Sequence, residues 1–285
     1  MSGRTGDAPM AADAAGGYGA PRRTGDRPAA ELRRPVPTAR RLQIPSPAAA
    51  DDGSELRFCS TCAFSSACLD EGYGKPELEQ LHVLVEHVGP VAEGELVFRE
   101  GDEFNAIAAV RAGTVKTYVL DEAGNEQVLG FHLPGEVIGL SGIHGGRYPC
   151  NAVALDTVML CRFSFPRMAT LALKLPGVQQ QLFRLLSADI GKAALLAGDH
   201  RADQRLAAFL VQFSRRYAAR GFSATRFNLT MSRTDIANYL RLAPETVSRV
   251  LRRFQDDGVL RVDRREVELL QLPALEALAR PMLRQ

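Results

Sequence analysis

The stretch Ser232–Phe254, SRTDIANYLRLAPETVSRVLRRF, decides the fold of the C-terminal third of this 285-residue chain. Ser232 is a favourable N-cap with an acidic residue, Asp235, three positions later, and a short apolar face follows it. After a short connection, Pro244 occupies the position that proline prefers at the start of a helix. A short capped helix, a tight turn and a second helix that begins with proline together predict a helix-turn-helix.

The second predicted helix has one apolar face and one polar face. Its apolar residues recur at helical spacing from Val247 to Phe254, so the remaining side chains face outward. Those outward residues are Glu245, Ser248, Arg249, Arg252 and Arg253. Arginine can donate two hydrogen bonds to guanine, and a carboxylate accepts one from cytosine. Glu245, Ser248 and Arg249 share the face near the helix start, where recognition helices contact bases, so we expect this helix to enter the major groove of DNA.

A basic hairpin is predicted after the second helix. Gly258 and the pair Arg264–Arg265 punctuate two apolar runs, which is typical of a β-hairpin wing. We expect Arg264 and Arg265 to contact only phosphates, whereas Arg252 belongs to the outward face of the helix that we expect to contact DNA. The alternative is a plain helical hairpin with a charged face. It requires the capped helices, the turn and the basic wing to coincide by accident.

The charge of the chain is divided unevenly between its two ends. Residues 201–285 carry 16 basic and nine acidic side chains, whereas residues 1–200 carry 19 basic and 24 acidic ones. The C-terminal third therefore has a net charge of +7 and the rest of the chain −5, although the whole chain is only +2. A basic segment favours a polyanionic partner, because neutralising phosphates releases condensed counterions. This distribution supports double-stranded DNA as the partner.

Composition also bounds the location and class of the protein. The sequence has no run of about 18 apolar residues and no short apolar core of a secretory signal at its start. We therefore expect a cytoplasmic protein with no membrane partner. In a reducing compartment the five cysteines are expected to be metal ligands or buried thiols. No phosphate-cradling glycine motif and no nucleophile–base pattern stands out, so an enzyme is not predicted.

Composition and periodicity divide the chain into four segments. Residues 1–54 are rich in Ala, Gly, Pro and Arg and are predicted to be disordered, with a nucleic-acid-binding arm as the alternative. Between about Val91 and Phe165, short β-like runs alternate with glycine turns, which is typical of an antiparallel double-sheet roll. The predicted α+β fold comprises the tail (1–54), a cysteine-bearing loop and β-roll (55–172), a dimerisation helix (173–199) and a winged helix-turn-helix (200–285).

A long helix is predicted from near Pro176 to about Leu196. Its apolar residues recur every three or four positions and form one stripe of about five turns. The stripe consists of Val178, Leu182, Leu185, Leu186, Ile190 and Ala193. A stripe that joins a β-domain to a basic domain favours pairing with a second subunit, and the predicted interface residues are Leu182, Leu186, Ile190 and Ala193. Packing of the stripe on its own β-domain is the alternative.

Three cysteines lie close together at the edge of the tail. Cys59, Cys62 and Cys68 form the pattern C-x2-C-x5-C. Close thiolates can bind zinc or an iron–sulfur cluster, and both usually need four ligands. A zinc finger normally closes with a nearby pair of Cys or His, and within about thirty residues only His82 and His87 follow.

A four-cysteine site needs one remote cysteine, either Cys150 or Cys161. Cys161 lies in the apolar, strand-like run Val158–Phe163, where its position would be rigid. Cys150 follows Pro149 in a glycine-rich loop. The residues alone slightly favour Cys161, and Cys150 is then a free thiol.

The chain resembles the CRP/FNR superfamily from about Cys59 to Leu270, and within it the FNR branch of fumarate and nitrate reduction regulators. The blocks that carry the resemblance are Cys59–Cys68, Gly130–Leu133 with Gly135, Arg205–Phe209, Ser214–Arg216 with Arg220–Ser223, and Glu245–Arg249. In this family the fourth cluster ligand lies on the strand after an Ala-Leu-acid-Thr run. Here Ala154–Thr157 leads to Cys161, so the resemblance selects Cys161.

The resemblance implies a homodimer that binds DNA while a [4Fe-4S] cluster is intact and stops when oxygen degrades the cluster. The implied ligands are Cys59, Cys62, Cys68 and Cys161. It also implies half-sites similar to TTGAT and ATCAA, which Glu245, Ser248 and Arg249 would contact, and RNA polymerase as a partner. A zinc-stabilised or effector-binding regulator of the same superfamily is the alternative.

Two departures from the wider superfamily have consequences. The cyclic-nucleotide-binding branch shares the β-roll and the Gly135–Glu136 pair but grips the cyclic phosphate with Arg-Ser, where this chain has Pro149–Cys150 and an out-of-register Arg147. No cyclic nucleotide is therefore expected. FNR-type chains often have an acidic residue just after the position of Ile190, where this chain has Gly191–Ala193. Without that like-charge repulsion, a dimer less dependent on the cluster is expected.

Overall fold

A computed structural model describes residues 84–283, apart from the side chains of residues 192–197. The predicted tail, Cys59, Cys62, Cys68 and His82 lie outside the described residues. The N-terminal half of the described chain contains strands β1 (Val85–Val91), β2 (Leu96–Phe98), β3 (Ala106–Ala112), β4 (Val115–Leu120), β5 (Glu126–His132), β6 (Val137–Ile138), β7 (Asn151–Ala154) and β8 (Val158–Ser164), with the short helix α1 (Gly142–Gly145) before β7.

The strands form two antiparallel four-stranded sheets with a shared apolar core. One sheet has the order β1-β8-β3-β6 and the other β2-β7-β4-β5. Val115 of one sheet and Leu160 of the other are fully buried in the same cluster. This arrangement confirms the predicted antiparallel roll. The two sheets pack face to face because each has one apolar face that must be buried.

Gly113 makes the tight turn between β3 and β4 possible. Its φ is +80°, and a Cβ at this position would collide with the backbone carbonyl oxygen of Thr157. The adjacent backbone N–H of Thr114 donates to the Asp156 carboxylate at 2.7 Å. The turn is thereby fixed against the connection that leads into β8, the strand that carries Cys161.

The β-domain begins earlier than the sequence predicts. The sequence places its start at about Val91, whereas β1 starts at Val85 and pairs with β8. Gly89 and Pro90 inside this run are turn residues, and they hide the strand from sequence patterns. The strand tolerates them because it lies at the edge of its sheet and its register shifts between Val88 and Val91.

Two helices cover the outer face of the sheet that contains β8. They are α2 (Phe165–Lys174) and α3 (Pro176–Ala197), and the bounds of α3 confirm the predicted long helix. Side chains alternate along β3, so Ala108 and Val110 face the roll interior while Ile107 and Ala109 face the helices. The second core therefore joins the sheet to Val178 of α3.

The C-terminal part is a winged helix-turn-helix, as predicted. Its elements are α4 (Ala202–Ala218), β9 (Arg226–Asn228), α5 (Arg233–Leu240), α6 (Pro244–Asp256), β10 (Leu260–Asp263), β11 (Glu266–Leu269) and α7 (Leu272–Leu283). The strands form a sheet of order β10-β11-β9. The wing turn at Arg264–Arg265 joins β10 to β11. Within the described residues, no helix is both long and apolar enough to cross a membrane.

Candidate functional site

The helix-turn-helix is held by local hydrogen bonds that its sequence specifies. The Ser232 hydroxyl accepts from the Asp235 backbone N–H at 3.0 Å, and the Asp235 carboxylate accepts from the Ser232 backbone N–H at 3.1 Å. Helix α5 is capped at its C-terminus by Arg241, whose φ of +55° is left-handed. The Leu242 N–H then donates to the Ala237 carbonyl at 2.8 Å. These caps fix the turn that sets the angle between α5 and α6.

Arg205 connects the turn to the preceding linker. Its guanidinium donates to three backbone carbonyl oxygens: His200 at 3.0 Å, Leu240 at 3.2 Å and Gly198 at 2.8 Å. The end of α3 and the end of α5 are therefore held by one side chain. The sequence marked Arg205 as part of a family block without assigning it a role, and the structure supplies this one.

The outer face of α6 is open to solvent. Val247, Val250, Leu251 and Phe254 are buried, and Glu245, Ser248, Arg249 and Arg252 are exposed. The division of the helix into faces is thus confirmed, while contact of the exposed residues with bases remains a prediction. Arg249 donates weakly to the Thr246 hydroxyl at 3.4 Å, a contact that a base could replace.

Arg253, predicted to face outward, is engaged at the side of α6. Its guanidinium lies 3.2 Å from the Asp203 carboxylate at the start of α4, although more than half of its side chain is exposed. Asp203 also accepts from Arg201 at 2.6 Å, and this hydrogen bond holds the pKa of Asp203 below its ordinary value. Arg253 therefore fastens α6 to α4.

The wing lies beside the N-terminus of α5. Arg264 and Arg265 are exposed, and Arg265 lies 3.9 Å from Glu93 in the turn between β1 and β2. Together with Arg233 and Lys116, these arginines line an open cleft of about 610 Å³. Burial lowers the pKa of Arg233. Arg233, which directly follows the N-cap Ser232, was not among the residues predicted from the sequence to contact DNA.

Cys161 lies on β8, the strand between β1 and β3. It is paired across the sheet with His87 on one side and Ala109 on the other. Its Sγ lies 3.8 Å from His87 Nδ1. The half-buried thiol packs at the margin of the apolar cluster between the sheet and α3, which also includes Leu182 and Leu186. The strand position predicted for Cys161 is confirmed, and the structure adds that this strand backs onto the long helix.

Cys150 has a different environment. It lies directly before β7 and is 4% exposed, inside the roll core with Phe98 and Tyr148. Burial raises the pKa of its thiol to about 11. A thiol that resists ionisation in an apolar core is a poor metal ligand, since the thiolate is the form that binds.

Helix α3 divides its apolar stripe between two surroundings. Leu182, Leu185 and Leu186 are half-buried against their own β-domain. Phe183 and Ile190 are 61% and 72% exposed. Leu182 and Leu186 therefore pack partly on their own β-domain, which was the alternative to pairing with a second subunit. Ile190 is exposed and available to a partner. The side chain of Ala193 lies outside the described residues.

Comparison with known proteins agrees with both parts of the chain. Residues 204–278 match the Crp-like helix-turn-helix domain, and residues 89–174 match the cyclic nucleotide-binding domain. The transcriptional activator protein Anr of Pseudomonas aeruginosa is 43% identical over 224 residues, which cover 78% of this chain and 92% of that protein. The fumarate and nitrate reduction regulatory protein of Escherichia coli K12 is 41% identical, with 78% and 90% covered.

The chain belongs to the CRP/FNR family of transcription regulators. It is a DNA-binding regulator and not an enzyme. The structure of FixK2 from Bradyrhizobium japonicum superposes with a TM-score of 0.61 at 28% identity, covering 68% of this chain and 96% of that one. The CRP/FNR arrangement of a β-roll, a long helix and a winged helix-turn-helix is thus shared by relatives in sequence and in structure.

The β-roll of this CRP/FNR chain is filled by its own side chains. Tyr148 stacks on Phe98 with ring centroids 4.0 Å apart and donates to the Ala106 carbonyl at 2.6 Å. The cavity between them has a volume of about 10 Å³, room for about one water molecule. Arg147 donates to the Gly101 carbonyl at the surface. That no cyclic nucleotide binds remains a prediction.

A larger cavity of about 620 Å³ lies between the roll and the helices α3, α4 and α5, and Thr117, Ile138 and Cys150 are among the roll residues that line it. Its cationic lining comes from Arg215, Arg216 and Arg241 of the DNA-binding domain, not from the roll. Arg216 is already paired with Glu136 at 2.6 Å. Sequence patterns could not identify this pairing, because its two residues lie 80 positions apart.

Proposed function

We propose that this chain is an oxygen-responsive regulator of the FNR type. As a homodimer it would bind a palindrome similar to TTGAT-N4-ATCAA while a [4Fe-4S] cluster is held by Cys59, Cys62, Cys68 and Cys161, and it would act on RNA polymerase from that site. The observation that carries the proposal is the position of Cys161. Its half-buried thiol lies at the margin of the apolar side chains that pack between the sheet and α3.

The donor set fits an iron–sulfur cluster. Four thiolates are its usual protein ligands. Cys161 supplies a thiol on a strand held by neighbours on both sides, so its position is fixed. Cys68 precedes β1 by 17 residues, a tether long enough in principle to bring the C-x2-C-x5-C segment to the neighbouring β8. The buried thiol of Cys150, whose pKa is raised to about 11, fits this role poorly.

A cluster at Cys161 would lie next to the helix that we assign to the dimer. When bound, the cluster supplies a centre that oxygen can oxidise and dismantle. The chain would couple the presence of the iron–sulfur cluster to α3 through the apolar side chains packed around Cys161, which include Leu182 and Leu186. When the iron–sulfur cluster is dismantled, the segment that carries Cys59, Cys62 and Cys68 would no longer be tied to Cys161. The packing beside α3 would then change, and with it the stability of the dimer.

The DNA-binding function follows from α6. Glu245, Ser248 and Arg249 are exposed at the N-terminal end of this helix, the end that recognition helices present to bases. Arg252 is exposed further along the same helix, and Arg264 and Arg265 are exposed cations on the wing, suited to the DNA backbone. In a two-fold dimer, two copies of this surface meet two half-sites of a palindrome.

Anaerobic purification tests the cluster. We expect a brown protein with acid-labile sulfide that loses its colour in air, and a Cys161→Ser variant that is colourless with no anaerobic activation. Cys150→Ser is the matched control and should remain brown, because its thiol is in the roll core. A colourless parent with stoichiometric zinc would overturn the proposal in favour of a zinc-stabilised regulator. A brown Cys161→Ser beside a colourless Cys150→Ser would reverse the ligand assignment.

A further inference from the structure

The DNA-binding domain is fastened to the β-roll by a nearly buried ionic contact. The Glu136 carboxylate, between β5 and β6, accepts from Arg216 at 2.6 and 2.7 Å and from Arg220 at 3.0 Å. The side chains of Glu136 and Arg220 are only 13% and 6% exposed. Both arginines also donate to backbone carbonyls of the roll, Arg216 to Phe131 and Arg220 to Pro134. Arg216 lies in α4, and Arg220 lies two residues after the end of that helix.

A second contact uses a different helix and a different strand. Strand β5 is at the edge of its sheet, where backbone groups need partners outside the sheet. Asn238 of α5 supplies them: its Oδ1 accepts from the Val128 N–H at 2.7 Å, and its Nδ2 donates to the Glu126 carbonyl at 2.5 Å. Lys116 of β4 adds an ion pair with Asp235 of α5 at 2.9 Å.

Apolar contact fills the space between these two polar contacts. Phe131 of β5 lies with its ring centroid 5.4 Å from that of Tyr239 and 6.2 Å from that of Phe209. It belongs to the same core cluster as the helices of the DNA-binding domain. Two separated anchors on α4 and α5 with packed rings between them remove the rotation that a single anchor would allow.

This double contact adds the β-roll as a second support for the domain, beside the tie that Arg205 makes between the linker and Leu240. Residues 198–201 separate α3 from α4, and Gly198 and Arg201 have extended backbones. Half-sites of a palindrome lie at a fixed distance, and inserting one base pair turns a half-site by about 34° around the DNA axis. A dimer can discriminate such a change only if each recognition helix is held rigidly relative to the dimer helix.

We infer that Glu136 and Asn238 are specificity-determining residues for operator spacing, because they fix the orientation of the helix-turn-helix relative to α3. They contact no base and set which spacer between half-sites is accepted. The inference rests on the proposed function in requiring a dimer on a palindrome.

The test measures DNA affinity of the full-length, anaerobically prepared protein on palindromes with the optimal spacer and with one base pair added or removed. The parent should prefer one spacer. In Glu136→Gln and in Asn238→Ala, the ratio of affinities between the optimal and altered spacers should fall at least about tenfold. Glu276→Gln is the matched control, because it removes a carboxylate that pairs with Arg215 of the same α4, but within the DNA-binding domain. Its spacer preference should equal that of the parent.

Hydrogen exchange gives a second readout that folding defects would not mimic. The Val128 amide should exchange at least about tenfold faster in Asn238→Ala, with amides of β3 and β8 unchanged. Should Glu136→Gln unfold, Asn238→Ala decides alone. Unchanged spacer ratios in Asn238→Ala, or a parent that binds all spacers equally, would overturn the inference while leaving the proposed function intact. A parent that binds no palindrome at any spacing refutes the proposed function instead.

Discussion

The exposed face of α3 allows the dimer prediction to be made quantitative. Burying an isoleucine or phenylalanine completely stabilises by about 1.5–3 kcal/mol. Ile190 is 72% exposed and Phe183 61%, so each would contribute about 1–2 kcal/mol on dimerisation, or about 4–8 kcal/mol for the four side chains of two subunits. This range is a large part of the free energy of a micromolar dimer, about 8 kcal/mol.

Ile190→Glu removes the apolar contribution of two side chains and forces two carboxylates into the seam. The loss is at least about 3 kcal/mol, because desolvation of an unpaired charge adds to the lost burial. The dissociation constant of the dimer should therefore rise at least about 100-fold. Sedimentation velocity over a concentration series measures it, with circular dichroism to verify that the subunit stays folded.

Leu182→Ala is the control on the same helix. Leu182 packs in the cluster against its own β-domain, so this variant should lower Tm and change the dissociation constant by less than the glutamate variant does. An Ile190→Glu protein that remains dimeric at the lowest concentration would refute the assignment of the exposed face as the seam. Dissociation caused by Leu182→Ala at unchanged Tm would support the sequence prediction that Leu182 contacts the partner.

Three further predictions concern base recognition, backbone contacts and thiol reactivity. Arg249→Ala should cost roughly 1–3 kcal/mol and flatten discrimination at one base pair, whereas Glu245→Ala should relax specificity with equal or higher non-specific affinity; equal loss on every sequence for both would contradict the groove placement. Replacing Arg264 or Arg265 by Ala should weaken binding to all DNA sequences alike and reduce the slope of log affinity against log salt concentration by about one. Burial raises the pKa of Cys150 in the folded protein to about 11, whereas the thiol of the unfolded chain ionises above about 9. The free energy of unfolding is therefore unaffected by this group below pH 9 and falls as the pH rises from about 9 toward 11. Cys150 should therefore resist iodoacetamide at pH 8 in native protein and react in urea, and rapid native alkylation would show that the roll core opens.

Local sequence features predicted the C-terminal architecture because the interactions that fix it are local. Ser232 and Asp235 cap α5 within one turn, and Pro244 begins α6. The buried and exposed faces of α6 follow from helical periodicity alone. The bounds of α3 and the antiparallel roll were likewise predictable from periodicity and glycine turns. Strand β1 was missed, since its pairing with β8 joins residues 67 to 78 positions apart and overrides the Gly89–Pro90 turn signal.

The sequence by itself determined that a winged helix-turn-helix follows a β-roll and a long helix, because capping, periodicity and turn chemistry act over a few residues. Only the tertiary structure decided which face of α3 is used internally. Leu186 and Ile190 are interchangeable in a sequence pattern, and the apolar cluster that includes β3 and β8 half-buries Leu186 and leaves Ile190 exposed. The contacts of Glu136 with Arg216 and of Val128 with Asn238 were equally invisible, because each joins residues 80 or more positions apart and forms only when the two domains are packed together.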